Sequence, residues 1–416
     1  MNYKSPSLIV VGGGAAGFFC AVNAARLNPD LKVTILERSS KLLSKVKVSG
    51  GGRCNVTHAC FDILEMCKCY PRGNNFVKKL FHHFFTEDTV QWFKERGVAL
   101  KTEADGRMFP VTDSSQTIID CLLREASQYG VNILMNCDVK EIRYLGNTFE
   151  LKVGGDRRFT ADYVCIATGG APKASMLDWV SSLGHNIVAP VPSLFTFNLP
   201  KHSITALMGI SVPDVIVKIT GSRLQQRGPV LITHWGLSGP AVLKLSAYAA
   251  RELAAVYWVF NIIVNWLPDY NEQALRNKFN ELRYENGAQL LYHKNPFGLP
   301  QRLWQYFLKE CEISETCRRA DLSARHQNML VQKLTACSFT VKGKTTFKEE
   351  FVTAGGIALN EIDVNTMMSK KVSNLFFAGE VIDVDGITGG YNFQNAWSTG
   401  WVAANSIAAL SQKLSQ

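Results

Sequence analysis

The chain of 416 residues has no uninterrupted apolar run long enough to cross a bilayer, no internal repeat and no low-complexity tract. Its longest uncharged apolar stretch, Leu8 to Ala25, is broken at its centre by Gly12, Gly13, Gly14 and Gly17, and Lys4 is the only basic residue before it. A membrane span or a cleavable secretory signal is rarely interrupted that way, and Val256 to Leu267 is too short to span. Acidic side chains are the scarcer charge, 35 Asp plus Glu against 45 Lys plus Arg, for a formal +10. That surplus suits an anionic ligand or a polynucleotide without choosing between them. At 46% hydrophobic and 19% charged, the composition excludes a disordered or fibrous chain. The length implies two to three domains at roughly 150 residues each. Eleven cysteines without a secretory signal read as free thiols in a reducing cytosol, so a cytoplasmic protein with no membrane partner is expected.

Residues 7–11 form a short apolar run of the kind buried on both faces of a parallel sheet. A glycine turn follows, then a small-residue helix to Leu27, a stop at Asn28-Pro29-Asp30 and a second strand, Lys32 to Leu36, ending in Glu37. This is the content of a right-handed βαβ unit. Residues 75–97 and 114–129 read as amphipathic helices, and 163–170 as a buried strand running into glycines. After Pro192 the pattern changes. Residues 193–263 alternate in short pieces and read as antiparallel β structure, 270–333 as helices and 338–351 as strand. From Asn374 the buried-strand pattern returns, and a small-residue helix beginning around Asn392 closes the chain.

The turn Gly12-x-Gly14-x-x-Gly17 suits a pyrophosphate: a tight turn, a close backbone approach, then close helix packing, with the helix N-terminus facing the anion. Ala15 and Ala16 lie inside that turn. Glu37, 20 residues after Gly17, is placed to bond ribose hydroxyls. Between Arg38 and Arg53 there are five basic residues and no acid, leading through Lys45 and Ser49 to Gly50-Gly51-Gly52-Arg53-Cys54-Asn55. Backbone N–H groups there can turn toward an anion, with Lys45 and Arg53 adding charge-assisted bonds; a solvated basic loop is the plain alternative. Ala167-Thr168-Gly169-Gly170 ends a strand. Near the C-terminus, Gly379-Glu380 ends another, and Asp385, Gly390, Tyr391, Asn392 and Gln394 follow around a helix start that would favour negative charge. Asp385 is either an acceptor for a ligand hydroxyl or part of a hydrogen-bonded turn.

Cys54, Cys60, Cys67 and Cys69 are separated by five, six and one residues, which matches no usual zinc pattern, and no metal is expected. The five between Cys54 and Cys60 also departs from the four of a disulfide-reductase pair, so packing or loop thiols are expected. His234, in Thr-His-Trp-Gly-Leu-Ser-Gly-Pro (233–240), is apt as a proton shuttle, with a turn-bonding histidine as the alternative. Trp235, Tyr248, Tyr257, Trp258 and Trp266 read as core of the β region.

These stretches resemble the bacterial aminoacetone oxidase-like, or YhiN/BaiN-like, flavoprotein family. The residues that carry it are Val-Gly-Gly-Gly-Ala-Ala-Gly (11–17), Lys-Val-Ser-Gly-Gly-Gly-Arg-Cys-Asn-Val-Thr (47–57), Thr-His-Trp-Gly-Leu-Ser-Gly-Pro-Ala (233–241), Thr-Ala-Gly-Gly-Ile (353–357) and the run from Gly379 to Gln394. The resemblance implies an α/β fold: a discontinuous Rossmann-type FAD-binding domain (1–192 and 353–416) with an inserted β-barrel-like domain (193–268 and 334–352) that itself carries a helical subdomain (269–333). It implies non-covalent FAD lined by Ala16, Glu37, Ser49, Gly51, Arg53, Cys54, Thr168, Gly379, Glu380, Asp385, Tyr391 and Asn392, with Val139 meeting the adenine through its backbone. His58 stands where an amide is expected, and Asn395 where tryptophan is expected.

The leading expectation is an FAD-dependent oxidoreductase acting on a small organic substrate between the two domains. It either oxidises an amine or ketone with oxygen as acceptor, or reduces a conjugated enone with NAD(P)H as donor. A flavin-loaded redox sensor that binds a partner is an alternative. A flavin-dependent nucleic-acid-modifying enzyme is another, but the insert's scattered Lys and Glu speak against a basic face, so no nucleic-acid partner is expected.

Overall fold

The computed structural model describes residues 5–155, 157–346 and 352–413, and the chain forms two compact units, Met1–Pro192 with Lys348–Gln416, and Ser193–Phe347. The first is α/β. Five parallel strands lie in the order Leu375–Phe377, Tyr163–Ile166, Ser7–Val11, Lys32–Leu36, Asn132–Leu134. The three central strands are almost wholly buried, which is why their sequences run apolar instead of alternating. From Ser7–Val11 the chain progresses outward to one side, then returns to build the other. That reversal opens a crevice at the carboxyl ends of the strands, where open α/β sheets bind ligands.

Two helices cover one face, Ala15–Leu27 and the long closing helix Tyr391–Lys413. They approach closely because Gly400 lacks a side chain: a Cβ there would lie 2.8 Å from the Ala16 carbonyl oxygen. The region expected to be one helix over 75–97 is two, Asn74–Leu80 and Thr86–Lys94. Phe85 turns extended between them, and its N–H donates to Asp88 Oδ2 at 2.7 Å, so a cap begins the second helix where periodicity alone would continue the first. The helix expected over 114–129 forms as Ser115–Gln128, capped by Ser114. An antiparallel meander, Val139–Tyr144, Phe149–Val153 and Arg157–Ala161, was not anticipated.

In the second unit seven strands form one sheet. Its last two, Cys337–Lys342 and Lys344–Thr345, are separated only by Gly343. The first half pairs with Val259–Asn265 and the second with Thr196–Asn198, at the opposite edge of the order. One bent segment therefore closes the sheet into a barrel, pairing both edge strands among the described residues. Of the strand expected over 338–351, residues 347–351 lie outside the described residues.

The β reading of 193–263 needs correction at 240–255, which holds two helices, Pro240–Tyr248 and Ala250–Ala255. Pro240 occupies the first turn, where its missing N–H costs nothing, and Ala, Leu and Val follow at helical spacing. Helices Glu272–Glu285, Gln301–Glu310 and Ala324–Thr335 lie within the stretch 270–333 that was read as helical. Their Leu275, Phe279, Trp304, Phe307 and Leu330 join Phe197, Val217, Ile262, Trp266 and Phe339 of the barrel in one core. Of the five aromatics expected in that core, Trp266 is fully buried, whereas Trp235 is 37% and Tyr257 82% exposed.

Candidate functional site

The carboxyl ends of the parallel strands bring the first-unit residues to one edge. Gly12 leaves the central strand at φ 115° so close to the neighbouring strand that a Cβ would sit 2.4 Å from the Ala167 oxygen. Gly17 packs equally close, 2.0 Å from a Cβ to the Gly12 oxygen. Gly14 is different: a Cβ there meets no heavy atom within 4 Å. It begins the Ala15–Leu27 helix with no side-chain cap and no acid in the first turn, so the leading N–H groups face that open space.

Glu37 ends the second strand, and its carboxylate accepts from Gly13 N–H (2.8 Å) and from the Ser39 N–H (2.9 Å) and hydroxyl (2.8 Å). It thereby ties the glycine turn to the second strand. Val139 is buried beside this edge, and the Cys137 N–H donates to the Glu37 carbonyl at 2.8 Å.

The basic stretch is more ordered than a glycine loop. Ser44–Gly52 starts as helix and breaks at Ser49, whose hydroxyl donates to the Val46 carbonyl (3.1 Å), and Gly50 and Gly51 take positive φ. The two cations expected to reach phosphate have carboxylate partners. Lys45 pairs with Glu380 at 2.7 Å, and Arg53 pairs with Glu103 (2.5 Å) and Asp113 (3.5 Å) while its guanidinium lies 4.0 Å from the Phe109 ring centre. Arg38 is exposed. Cys54 is fully buried, and burial pushes its thiol up to about 12. All eleven cysteines are free thiols, so Cys54 and Cys60 form no dithiol bridge.

The C-terminal loop is fastened at every turn. Asp385 has no exposed surface and takes a two-pronged ion pair from Arg72, an arginine that no sequence pattern singled out. Asn392 closes the loop through Gly386, accepting from its N–H (2.8 Å) and donating to its carbonyl (2.9 Å). Asn55 donates to Thr57 and accepts from Gly390 N–H at 2.9 Å. His58, the departure noted after Thr57, stacks on Tyr391 at 4.8 Å and donates to the Gly389 carbonyl. Gln394 is spent inside the fold: its amide oxygen accepts from Thr57 (2.6 Å) and Thr89 (3.0 Å), and its nitrogen donates to Ser398 (3.0 Å). Fully buried and with both ends of its amide bonded, it is placed by the structure as a support for the closing helix, not an open ligand contact.

The edge leaves open space beside several backbone positions. Cβ atoms at Gly51, Gly52 and Gly169, as at Gly14, would meet nothing within 4 Å, and Thr168 is exposed. Gly170 packs against Glu380 and Thr353. Two buried polar atoms nearby have no partner, Thr353 Oγ1 and Asn395 Oδ1. Thr353 N–H donates to Glu380, and Asn395 lies one helical turn before Thr399, whose hydroxyl accepts from Gly379 N–H. Unpartnered buried acceptors of this kind are expected where a ligand completes the bonding.

The family described as HI0933-like protein Rossmann domain matches residues 6–406. The chain belongs to this family. Within it, the chain is 31% identical to the ribosomal RNA dihydrouridine synthase of Escherichia coli K12, over 96% of this chain and 98% of the relative. It is 27% identical over the same shares to the 3-dehydro-bile acid delta(4,6)-reductase of Clostridium scindens. Among solved structures, the 3-ketosteroid-delta4-(5alpha)-dehydrogenase of Rhodococcus jostii RHA1 shares the fold at a TM-score of 0.50 and 13% identity, covering 97% of this chain and 98% of that one. This HI0933-like protein is an FAD-dependent oxidoreductase with a Rossmann FAD-binding fold. No helix among its described residues is long and apolar enough to cross a membrane, and no group of three metal-binding side chains occurs among them.

His234 belongs to the second unit, exposed at the tip of a tight turn. Thr233 and Gly236 close that turn with each other (2.8 and 3.2 Å), so the imidazole is not what holds it. Its ring lies against Trp235, with centres 3.5 Å apart.

Proposed function

We propose that this protein reduces a carbon–carbon double bond conjugated to a carbonyl, and that its substrate is a uracil base within RNA. The reaction class is supported by one observation. The two activities named for full-length relatives, dihydrouridine synthesis and delta(4,6) reduction, both saturate a double bond conjugated with a carbonyl. The choice of RNA rests on the 31% and 30% identity to two proteins named as ribosomal RNA dihydrouridine synthases. This departs from the expectation that nucleic acid plays no part. The charge distribution agrees: residues 193–347 contain 18 Lys and Arg against 10 Asp and Glu, so the insert carries most of the formal surplus.

FAD supplies the hydride chemistry when bound. Around it, the Gly12–Gly17 turn and the free first N–H groups of the Ala15 helix would hold the pyrophosphate. Glu37 and the Val139 backbone would take the adenosine end, and Thr168, Gly379, Thr353 and Asn395 the ribityl chain. Gly390, Tyr391 and Asn392, held by Asn55, His58 and Arg72, would present the N-terminus of the closing helix to the flavin ring. Glu380 and Asp385 would act by orienting Lys45 and Arg72. His234 is the proposed proton donor to the substrate carbon; His234→Gln should keep its FAD and lose turnover, and parent-like turnover removes that role.

A small cyclic enone is the second reading, favoured by the Clostridium scindens relative. The test is anaerobic. Flavin is bleached with NADPH or NADH, then RNA or a steroid 4-en-3-one is added. Return of the yellow colour on RNA addition supports the proposal; return only with the enone overturns the substrate.

A further inference from the structure

At the end of helix Ala250–Ala255, three apolar side chains stand in solvent: Val256 (47% exposed), Tyr257 (82%) and Val259 (54%). Tyr257 and Trp258 are consecutive and both left-handed, at φ 51° and 56°. Bulky residues adopt that region only when surroundings force them. Here the forcing bonds are visible: Tyr257 N–H to Ala254 O (3.0 Å), Trp258 N–H to Leu253 O (2.8 Å), Val259 N–H to Val256 O (3.0 Å) and Gly343 N–H to Trp258 O (2.8 Å). Trp258 packs on the barrel core, so the reversal turns the next ring, Tyr257, outward on a rigid mount.

Two lysines adjoin this tip, and the helix that leads into it carries Arg251 and the exposed Glu252 in its first turn. Lys344 Nζ lies 4.8 Å from the Trp258 ring, and Lys342 is the direct cross-strand partner of Val259. No charged residue occurs from Leu253 to Pro268, and Lys342 and Lys344 are the only ones in 336–346. An exposed ring beside cations that carry no acid in their own segment matches how proteins hold single-stranded nucleic acid. Bases stack on the aromatic face, and lysines follow the phosphates. Three side chains are too few for a self-association interface, which needs about 800 Å² per partner.

We infer that the Tyr257 tip is a stacking platform for an unpaired base of the RNA substrate, with Lys342 and Lys344 on the adjoining phosphates. This rests on the RNA reading above and adds which side chains of the second unit grip the RNA. The test is fluorescence anisotropy of a labelled single-stranded, uridine-containing RNA on the FAD-loaded protein. Tyr257→Ala should bind about tenfold more weakly, the loss of one stacked base. Tyr257→Phe should bind as the parent does. Tyr257→Asn, which tolerates the left-handed backbone, should weaken binding as alanine does and so separates stacking from strain. Lys342→Ala should flatten the dependence of log affinity on log salt by about 0.7. FAD content and melting temperature should be unchanged in all four.

Parent-like binding by Tyr257→Ala and Tyr257→Asn overturns the platform. So does a Tyr257-dependent effect seen only with anionic vesicles or in self-association. If RNA is reduced normally while Tyr257→Ala binds as the parent does, the platform falls and the reaction stands. If RNA is bound through Tyr257 but its uridines stay unreduced, the reaction falls and the platform stands.

Discussion

Arg72 grips Asp385 through both arms of its guanidinium, 313 residues apart in the chain and with the aspartate wholly buried. The pair fastens the segment before helix Asn74–Leu80 to the loop that leads into the closing helix. Two further bonds run the same way: Tyr70 hydroxyl donates to the Tyr391 carbonyl at 2.6 Å, and Ile387 N–H donates to the Cys69 carbonyl at 2.9 Å. Segment 69–72 is thus a brace for the loop that would face the flavin ring.

Breaking that brace leaves a buried carboxylate without its cation. Arg72→Met should lower stability by roughly 3–5 kcal/mol and, at temperatures where the variant is still folded, weaken FAD retention. Denaturant unfolding and flavin absorbance check this. A variant with parent stability would mean the pair contributes nothing net.

The glycines of the first turn should separate folding from cofactor binding. Gly17→Ala puts a Cβ 2.0 Å from the Gly12 oxygen, so the turn must open and the protein should be destabilised with or without FAD. The Cβ of Gly14→Val meets no protein atom within 4 Å, and the position sits on extended backbone. It should cost the apo-protein at most about 1 kcal/mol at this cap position while abolishing FAD uptake. Full flavin loading of Gly14→Val would show that the pyrophosphate lies elsewhere.

His185 makes stability depend on pH. Its Nδ1 donates to Glu361 and its Nε2 lies 3.0 Å from Ser369 Oγ. That hydroxyl already accepts from the Lys371 and Val372 N–H groups, so its own hydrogen points to Nε2 and the ring is neutral. Burial lowers the His185 pKa from 6.5, outweighing Glu361. A base whose folded pKa is depressed binds its proton more readily when unfolded, so stability should fall as pH drops from about 6.5 toward the folded value. For Glu361, burial acts upward, but Lys371, the Asn186 N–H and His185 outweigh it, so its pKa is lowered from 4.5 and stability falls again at lower pH. His185→Gln should flatten the first decline, measured as unfolding free energy at pH 7 and pH 5.5. An equal slope in the variant would contradict this.

Thiol reactivity should follow burial. Cys54, raised to about 12 by burial, should resist iodoacetamide in the folded protein, whereas half-buried Cys60, Cys69 and Cys317 should be modified first. Peptide mass mapping after brief alkylation reads this directly, and early labelling of Cys54 would mean the glycine stretch around it opens.

The βαβ entry, the buried central strands and the helix near Asn392 were legible because local patterns carry them: apolar runs, glycine spacing, and an acid at a strand end. The buried-strand pattern returning at Asn374, after the β and helical stretches, pointed to a domain built from both ends of the chain, and the resemblance to relatives implied the same plan. Arg72 was not legible, because a lone arginine between Pro71 and Gly73 acquires meaning only from Asp385 far along the chain. The same applies to Lys45 and Arg53, whose phosphate role looked open until Glu380, Glu103 and Asp113 folded onto them. Gln394 read as a ligand contact from its place in a conspicuous run, yet its partners Thr57 and Thr89 come from other segments. The break at Phe85 was missed because periodicity persists across it while a single cap decides the local geometry.

The most direct measurement is mass spectrometry of unmodified ribosomal RNA after anaerobic incubation with the FAD-loaded protein and NADPH or NADH. The account predicts that uridine at discrete positions gains two hydrogens, and that Gly14→Val, lacking FAD, leaves the RNA unchanged. RNA left intact by a protein whose flavin is fully reduced, with a steroid enone saturated instead, would contradict it.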